Sequence, residues 1–389
     1  MKRAIAAALA VAAGLGAAAP ADAAPTEREV RRAVAPLGKQ VSVVVADARS
    51  GKRLAAIRAT RRQSLGSTTK LLTAAAVLAR RLPAGRLETQ VLGPPPLAGV
   101  VTGDLVLRGA GDPQLDESQL AALADQLATV RLVTGSVVGD ESRFDTVRTG
   151  PSGNGAFDPE LSGPLSALAY RRGRATPDGP VQADPARAAA ARFDDVLEAR
   201  GVTISGAPRA GSSPPGAAVL AGAASATFAE LVAAMLRPSD DWIAELLTKE
   251  LAPVPGSTAA GAAVVQQVAR SRGARTVSLV DGSGLDPRDK GSAADLVAVL
   301  RRMARAAAFR DALARPGRPG TLQDRLTTGR ARRACRGKTG TLPSGGVSAL
   351  AGYCTTRNGR RLAFAVLARG VRVAKAQRAQ DRVARAIAG

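Results

Sequence analysis

Apolar and polar positions change period several times along the chain. EVRRAVAPL reads as a short helix, and QVSVVVADARSGKRLAAI (40–57) as two strands around an RSGK turn. A helical period follows, with Leu71, Leu72, Ala75 and Leu78 on one face. Near residue 86 the texture becomes Pro- and Gly-rich (PAGRLETQVLGPPPLAGVVTGDLVLRGAGDP), which predicts a domain boundary. Beyond it, short strands (GDLVLRG, RLVTGSVVGDES) mix with helices over 117–128 and 185–200, interrupted by Pro-rich loops at 151–181 and 206–216. From Ser225 the period is helical again, through TFAELVAAML and WIAELLTKEL to GAAVVQQVARSRG. The chain closes on two strands, VSALAGYC and RLAFAVLA, and a basic amphipathic helix, AKAQRAQDRVARAIA, expected to pack on the sheet.

Strands at both ends with helices between them predict an α/β (α+β) fold whose sheet joins N- and C-terminal strands. The expected division is a main domain from residues 25–85 and 216–389, with a smaller insertion over 86–215. No internal repeat is visible.

Composition narrows the reading. The chain has 389 residues, and 46% apolar content marks it as globular. Its first 24 residues read as an export signal: Lys2 and Arg3, an apolar run over 4–19, and small residues in ADAAP at 21–25. An uncleaved N-terminal anchor is the alternative. No other stretch is long and apolar enough to span a membrane, so a mature chain outside the cytoplasm, periplasmic or wall-associated, is expected. Net charge is +23, but the arginines are scattered among acids and alanines, and six Phe, two Tyr and one Trp make no stacking platform. Nucleic acid is therefore not an expected partner. A solvated basic surface attracted to an anionic wall fits better.

Histidine is absent. That excludes Ser-His-Asp and Cys-His catalysis, and two cysteines are too few for a structural zinc site. Neither a metal nor a cofactor is expected, and any serine nucleophile must use another base. The two cysteines, Cys335 and Cys354, flank RGKTGTLPSGGVSALAGY. A hairpin turning within PSGG would bring them opposite each other, and in an exported chain a disulfide persists. A cross-strand disulfide and a pair of buried thiols both fit.

The candidate chemistry starts in GSTTK (66–70), where Ser67 and Lys70 stand at i and i+3 on one face of a helix start. A free N–H at that helix end suits a developing oxyanion. Alone, S-x-x-K is weak, because serine caps helices and lysine follows by chance. SDD at 239–241, between two helical runs, and KTGT at 338–341, opening the hairpin, strengthen it. S-x-x-K with S-D-N and K-T-G marks penicillin-binding proteins and class A β-lactamases. Here the three occur in order, with Asp241 where the second motif has asparagine.

The similarity extends to GDLVLRGAGDPQL (103–115), GPLSAL (163–168), DGSGL (281–285), GTLQDRL (320–326) and KTGTLPSGGVSALAGY (338–353). Over nearly the whole mature chain the sequence resembles the class C low-molecular-mass penicillin-binding proteins, exported D-alanyl-D-alanine carboxypeptidases and endopeptidases. The resemblance implies a transpeptidase-like domain with an antiparallel sheet flanked by helices and an insertion between the first two motifs. That gap is shorter than in the family's larger members, so one inserted domain is expected to be reduced or missing. No E-x-x-L-N follows Asp241 before Lys338, which disfavours a class A β-lactamase.

By that resemblance Ser67 is the acylated nucleophile and Lys70 its base. Burial and Lys338 would both favour the neutral Lys70 amine. Ser239 relays a proton to the leaving amine. Lys338 supplies positive potential, Gly340 lies with Thr339 and Thr341 in the substrate-binding segment, the two threonines hold the substrate carboxylate, and the N–H groups of Ser67 and Thr341 form the oxyanion hole. Peptidoglycan stem peptides and β-lactams are the implied ligands. Asp241 is the departure: an ionised carboxylate offers only acceptors and would hold a neighbouring amine protonated. Three outcomes follow for it: a mixed charge cluster with Lys338, a protonated Asp241, or a side chain turned away. A weakly catalytic, wall-peptide-binding homologue and a β-lactamase-like hydrolase are the competing functions.

Overall fold

The computed structural model describes residues 24–389 apart from 154, 155, 157, 175, 177, 178 and 344. The export signal expected over 1–24 therefore falls, but for Ala24, outside the described residues. Among those described, no helix is long and apolar enough to cross a membrane.

The main sheet has five antiparallel strands in the order Cys335–Leu342, Val347–Thr355, Arg361–Ala368, Val41–Asp47, Arg53–Ile57. It joins the two ends of the chain, as the α/β reading expects. VSVVVAD runs without alternation because the strand is covered on both faces. Val43 and Val45 share one core with Leu350, Phe364 and Val366, beneath helices Glu27–Val34 and Val373–Ala388. Val44 and Ala46 face the other core, with Ala349, Ala351, Ala363 and Ala365. These small side chains let helices Lys70–Arg80 and Ala293–Met303 lie close to the sheet.

A second five-stranded sheet has the order Arg209–Ala210, Val137–Asp140, Leu105–Arg108, Arg86–Gly93, Ala218–Thr227. Its pairings are parallel on the first side and antiparallel on the second. Helices Glu117–Gln126 and Pro185–Glu198 cover it, burying Leu120, Leu123, Phe193 and Leu197 against Val91, Leu105 and Leu107. Strand Ala218–Thr227 runs beside Arg86–Gly93, so the chain enters and leaves this sheet on neighbouring strands. The crossing is fastened where the N–H groups of Phe228 and Ala229 donate to the carbonyls of Gly85 and Pro83.

Candidate active site

Ser67 lies in a 3₁₀ turn, Gly66–Thr69, that feeds directly into helix Lys70–Arg80. The tighter turn eclipses side chains at i and i+3, which sets Ser67 and Lys70 on one side. No acceptor among the described residues takes the Ser67 N–H. Gly66 has φ +50°, and a Cβ there would come within 3.4 Å of the Thr341 nitrogen. On the opposing strand, a Cβ at Gly340 would meet the Leu65 carbonyl at 2.8 Å and the Thr68 nitrogen at 3.0 Å. The two glycines are what allow the K-T-G strand to lie against the serine turn.

Lys70 is fully buried. Its amine donates to Asp241 Oδ1 at 2.5 Å and to the Ser283 carbonyl at 2.7 Å. Asp241, the first residue of helix Asp241–Glu250, thus turns toward Lys70. Burial raises its carboxyl above the usual range, opposed first by Lys70 and then by Lys338.

Ser239 has φ +71°, a left-handed conformation unusual for a residue with a side chain. That turn places its Oγ 2.7 Å from the amine of Lys338, which donates to it and to the Thr339 carbonyl. Lys338 is also fully buried. Its amine is held well below the ordinary lysine range, first by burial and then by the charge of Lys70, with Asp241 opposing. The second motif is clamped from two sides. Arg172 pairs with Asp240 and stacks over the Trp242 ring at 4.9 Å, while the Trp242 indole donates to the Pro164 carbonyl. From the other side, the Thr321 N–H donates to the Arg237 carbonyl. GPLSAL and GTLQDRL are thus scaffolding for Ser239.

The structure brings Ser67, Lys70, Ser239, Asp241 and Lys338 together, with Thr339, Gly340 and Thr341 on the adjoining strand. Thr341 is exposed and Thr339 half-buried. Cys335 and Cys354 are directly opposed across the hairpin and joined by a disulfide.

Several contributing groups escape the sequence reading. The Ser283 and Gly282 carbonyls accept from Lys70 Nζ and from Thr73 Oγ1, one helical turn on. Glu245 fixes this loop from beneath: one carboxylate oxygen accepts from the N–H groups of both Gly282 and Ser283, at 2.9 and 2.7 Å. The other oxygen is buried without a partner among the described residues. Burial, and next the charge of Asp281, pushes Glu245 up to about 8. Asp289 is also raised well above the carboxylate range by burial and Asp281. The only sequence signal for Glu245 is an acid on the inward face of WIAELL. A backbone carbonyl such as that of Ser283 carries no side-chain signal at all.

Among the described residues, no group of three His, Cys, Asp or Glu side chains is arranged to hold a metal. The arrangement offers a hydroxyl on an open turn, a buried amine fixed by two acceptors, and a second amine touching a second hydroxyl. Those are parts for nucleophilic acyl transfer without imidazole.

Comparison with known proteins gives a consistent answer. The profile of the D-Ala-D-Ala carboxypeptidase 3 (S13) family matches residues 31–178 and 169–388. Carboxypeptidase DacB of Mycolicibacterium smegmatis is 31% identical, covering 77% of this chain and 70% of that protein. A D-alanyl-D-alanine carboxypeptidase from an Actinomadura species is 27% identical, covering 86% of this chain and 78% of its own length. Among solved structures, penicillin binding protein 4 of Haemophilus influenzae superposes with a TM-score of 0.77 at 20% identity. The match covers 92% of this chain and 97% of that one, and it shows the shared fold. With the profile matched across both halves of the chain and a relative of that length and identity, this chain belongs to the D-Ala-D-Ala carboxypeptidase 3 (S13) family and is a serine-type D-Ala-D-Ala carboxypeptidase.

Proposed function

We propose that the enzyme acts on peptidoglycan stem peptides outside the cytoplasm through an acyl-enzyme on Ser67, and that penicillins acylate the same hydroxyl. The observation that carries this reading is the fixed amine of Lys70. A neutral amine has two N–H bonds and one lone pair. Asp241 and the Ser283 carbonyl occupy the two donors, which leaves the lone pair for Ser67 on the preceding turn.

In the proposed sequence, Lys70 takes the Ser67 proton as Oγ attacks the carbonyl between the two terminal D-alanines. The N–H groups of Ser67 and Thr341 receive the oxyanion, a contact of a kind that contributes about 3 kcal/mol per donor. The proton taken up by Lys70 is relayed through Ser239, touched by Lys338, to the departing amine, which restores both the Lys70 amine and the Ser239 hydroxyl. Lys338, Thr339 and Thr341 engage the substrate carboxylate, and water then attacks the acyl-enzyme to free the shortened peptide. The insertion expected over 86–215 extends in this reading to residue 227, because strand Ala218–Thr227 pairs with Arg86–Gly93, and the unit carries the GPLSAL segment to the second motif.

The test uses a fluorescent penicillin and a pentapeptide ending in D-Ala-D-Ala. A covalent adduct and D-alanine release, both lost in Ser67→Ala, are expected. An adduct formed in Ser67→Ala, or no adduct with the wild type between pH 6 and pH 10, would overturn the assignment. An adduct that turns over rapidly would instead identify a β-lactamase-like hydrolase.

A further inference from the structure

The main sheet has a second concentration of charge at the end away from Thr341. There Arg310, Arg333, Arg336 and Arg361 converge on a cavity of about 150 Å³, whose lining has a single acid, Asp311. Two of the guanidinium groups are partly satisfied. Arg336 donates to Asp311 at 2.5 Å and to the Arg310 carbonyl at 3.2 Å, and Arg361 donates to the Ala304 carbonyl at 3.1 Å. Among the described residues, Arg310 Nε is buried with no partner.

Arg361 also lines a second cavity, of about 670 Å³, with Arg49, Arg301, Arg302, Arg305 and Arg360. Among the described residues, Asp47 is the single acid there, and Arg301 Nε is again buried with no partner. The shared Arg361 makes the two cavities neighbours around one strand end. The crowding is unfavourable as it stands: burial, then Arg310 and Arg336, lowers Arg361 from the ordinary arginine range. Nothing in the acyl-transfer scheme uses these residues.

We propose that this arginine track binds a chain of phosphate esters, with one phosphoryl group in the small cavity and successive phosphodiesters along the larger one. Guanidinium forks match phosphate oxygens bidentately, and a phosphoryl group in either cavity would meet several guanidinium groups at once and offset their mutual repulsion. A single oxyanion would leave the second cavity uncompensated, which favours a repeating polyanion. Among the described residues, the exposed large apolar side chains are Leu82, Leu97, Val147, Val219 and Val254, and none of these lines either cavity to form a rim for entering a lipid surface. Its one aromatic, Tyr353, is buried with its hydroxyl committed to the Leu300 carbonyl, so there is no platform for stacking bases. A soluble polyol-phosphate polymer, of the kind that gives cell walls their negative charge, has the matching chemistry. Held there, it would keep the enzyme close to wall peptides.

The experiment is calorimetric titration of the full-length enzyme with a glycerol-phosphate oligomer. Saturable binding that weakens as salt rises is expected, with affinity at least tenfold lower in Arg310→Gln/Arg333→Gln. Arg28→Gln/Arg32→Gln removes the same charge from the exposed face of the first helix and should bind like the wild type. Circular dichroism checks that each variant is folded, and Arg333→Gln alone, at an exposed position, should repeat the loss in smaller measure. Equal weakening in both double variants would reduce the effect to net charge and overturn the proposal. So would an absence of saturable binding. Preferential binding to phosphatidylglycerol vesicles, or to a DNA oligonucleotide of equal charge, would overturn it in favour of a membrane or nucleic acid.

Discussion

Helix Asp241–Glu250 carries one half of a buried lysine–carboxylate pair at each end, and the two pairs are nearly the same chemically. At its start, Asp241 accepts from Lys70, whose second acceptor is the Ser283 carbonyl. At its end, Lys249 donates to Asp145 at 2.6 Å and to the Val147 carbonyl at 2.7 Å. Both lysines are fully buried, and burial lowers the Lys249 amine while Asp145 opposes it. Acid at the N-terminus and base at the C-terminus also suit the helix dipole. The difference lies in the third neighbour. Lys249 faces the Phe144 ring at 5.9 Å, whereas Lys70 follows Ser67 by one tight turn and has a second buried lysine beside it. Burying and pairing an amine therefore makes a structural tie. A nucleophile within reach is what makes it a base.

Removing each lysine should separate the two roles. Lys70→Met is expected to slow acylation by about 10³-fold, within the range for a lost general base, measured by stopped-flow labelling with a fluorescent penicillin. Lys249→Met should leave the acylation rate of the folded enzyme unchanged. It should lower the unfolding free energy by about 3 kcal/mol, because Asp145 is left without its partner, as urea denaturation would show. Slowed acylation in folded Lys249→Met would erase the distinction.

Glu245 offers a finer probe, since it acts on Lys70 only through the Ser283 loop. Glu245→Leu deletes the acceptor for two N–H groups and should slow acylation about tenfold, the effect of misplacing one hydrogen bond. Glu245→Gln keeps an acceptor oxygen and should acylate like the wild type at neutral pH. It should differ in stability. Folding raises Glu245 from 4.5 to about 8, so the folded state binds more protons than the unfolded state between those values. Stability therefore falls as pH rises through that window. Denaturation midpoints measured from pH 4.5 to pH 8 should fall less steeply in Glu245→Gln than in the wild type.

What the sequence revealed, and what it hid, follows from the kind of signal each element carries. Ser67, Lys70, Ser239 and Lys338 sit in short motifs whose order alone suggests convergence, and the absence of histidine left a lysine as the base. The main-sheet strands were legible because valine and leucine dominate VSVVVAD and RLAFAVLA. Strand Ala218–Thr227 was not, since AVLAGAASAT has almost none of the β-branched and aromatic residues that mark strands. Its pairing with Arg86–Gly93, a tertiary contact, makes it a strand. The turn holding Ser67 was read as the start of the helix, because a 3₁₀ turn and a first helical turn place i and i+3 alike. The direction of Asp241 was open in the sequence, as a carboxylate can face solvent or an amine. In the folded chain it faces Lys70.

That contact makes the account testable at one atom. An ionised Asp241 stabilises the proton on the lysine cluster, so acylation should require a higher pH than an amide at that position would allow. The decisive measurement is the pH dependence of the second-order rate of Ser67 acylation by penicillin, in the wild type and in Asp241→Asn. The acid limb should move to lower pH in the variant by roughly one unit, the lower end of the effect of a neighbouring opposite charge. Superimposable profiles would contradict the account and remove the charge of Asp241 from the control of the base.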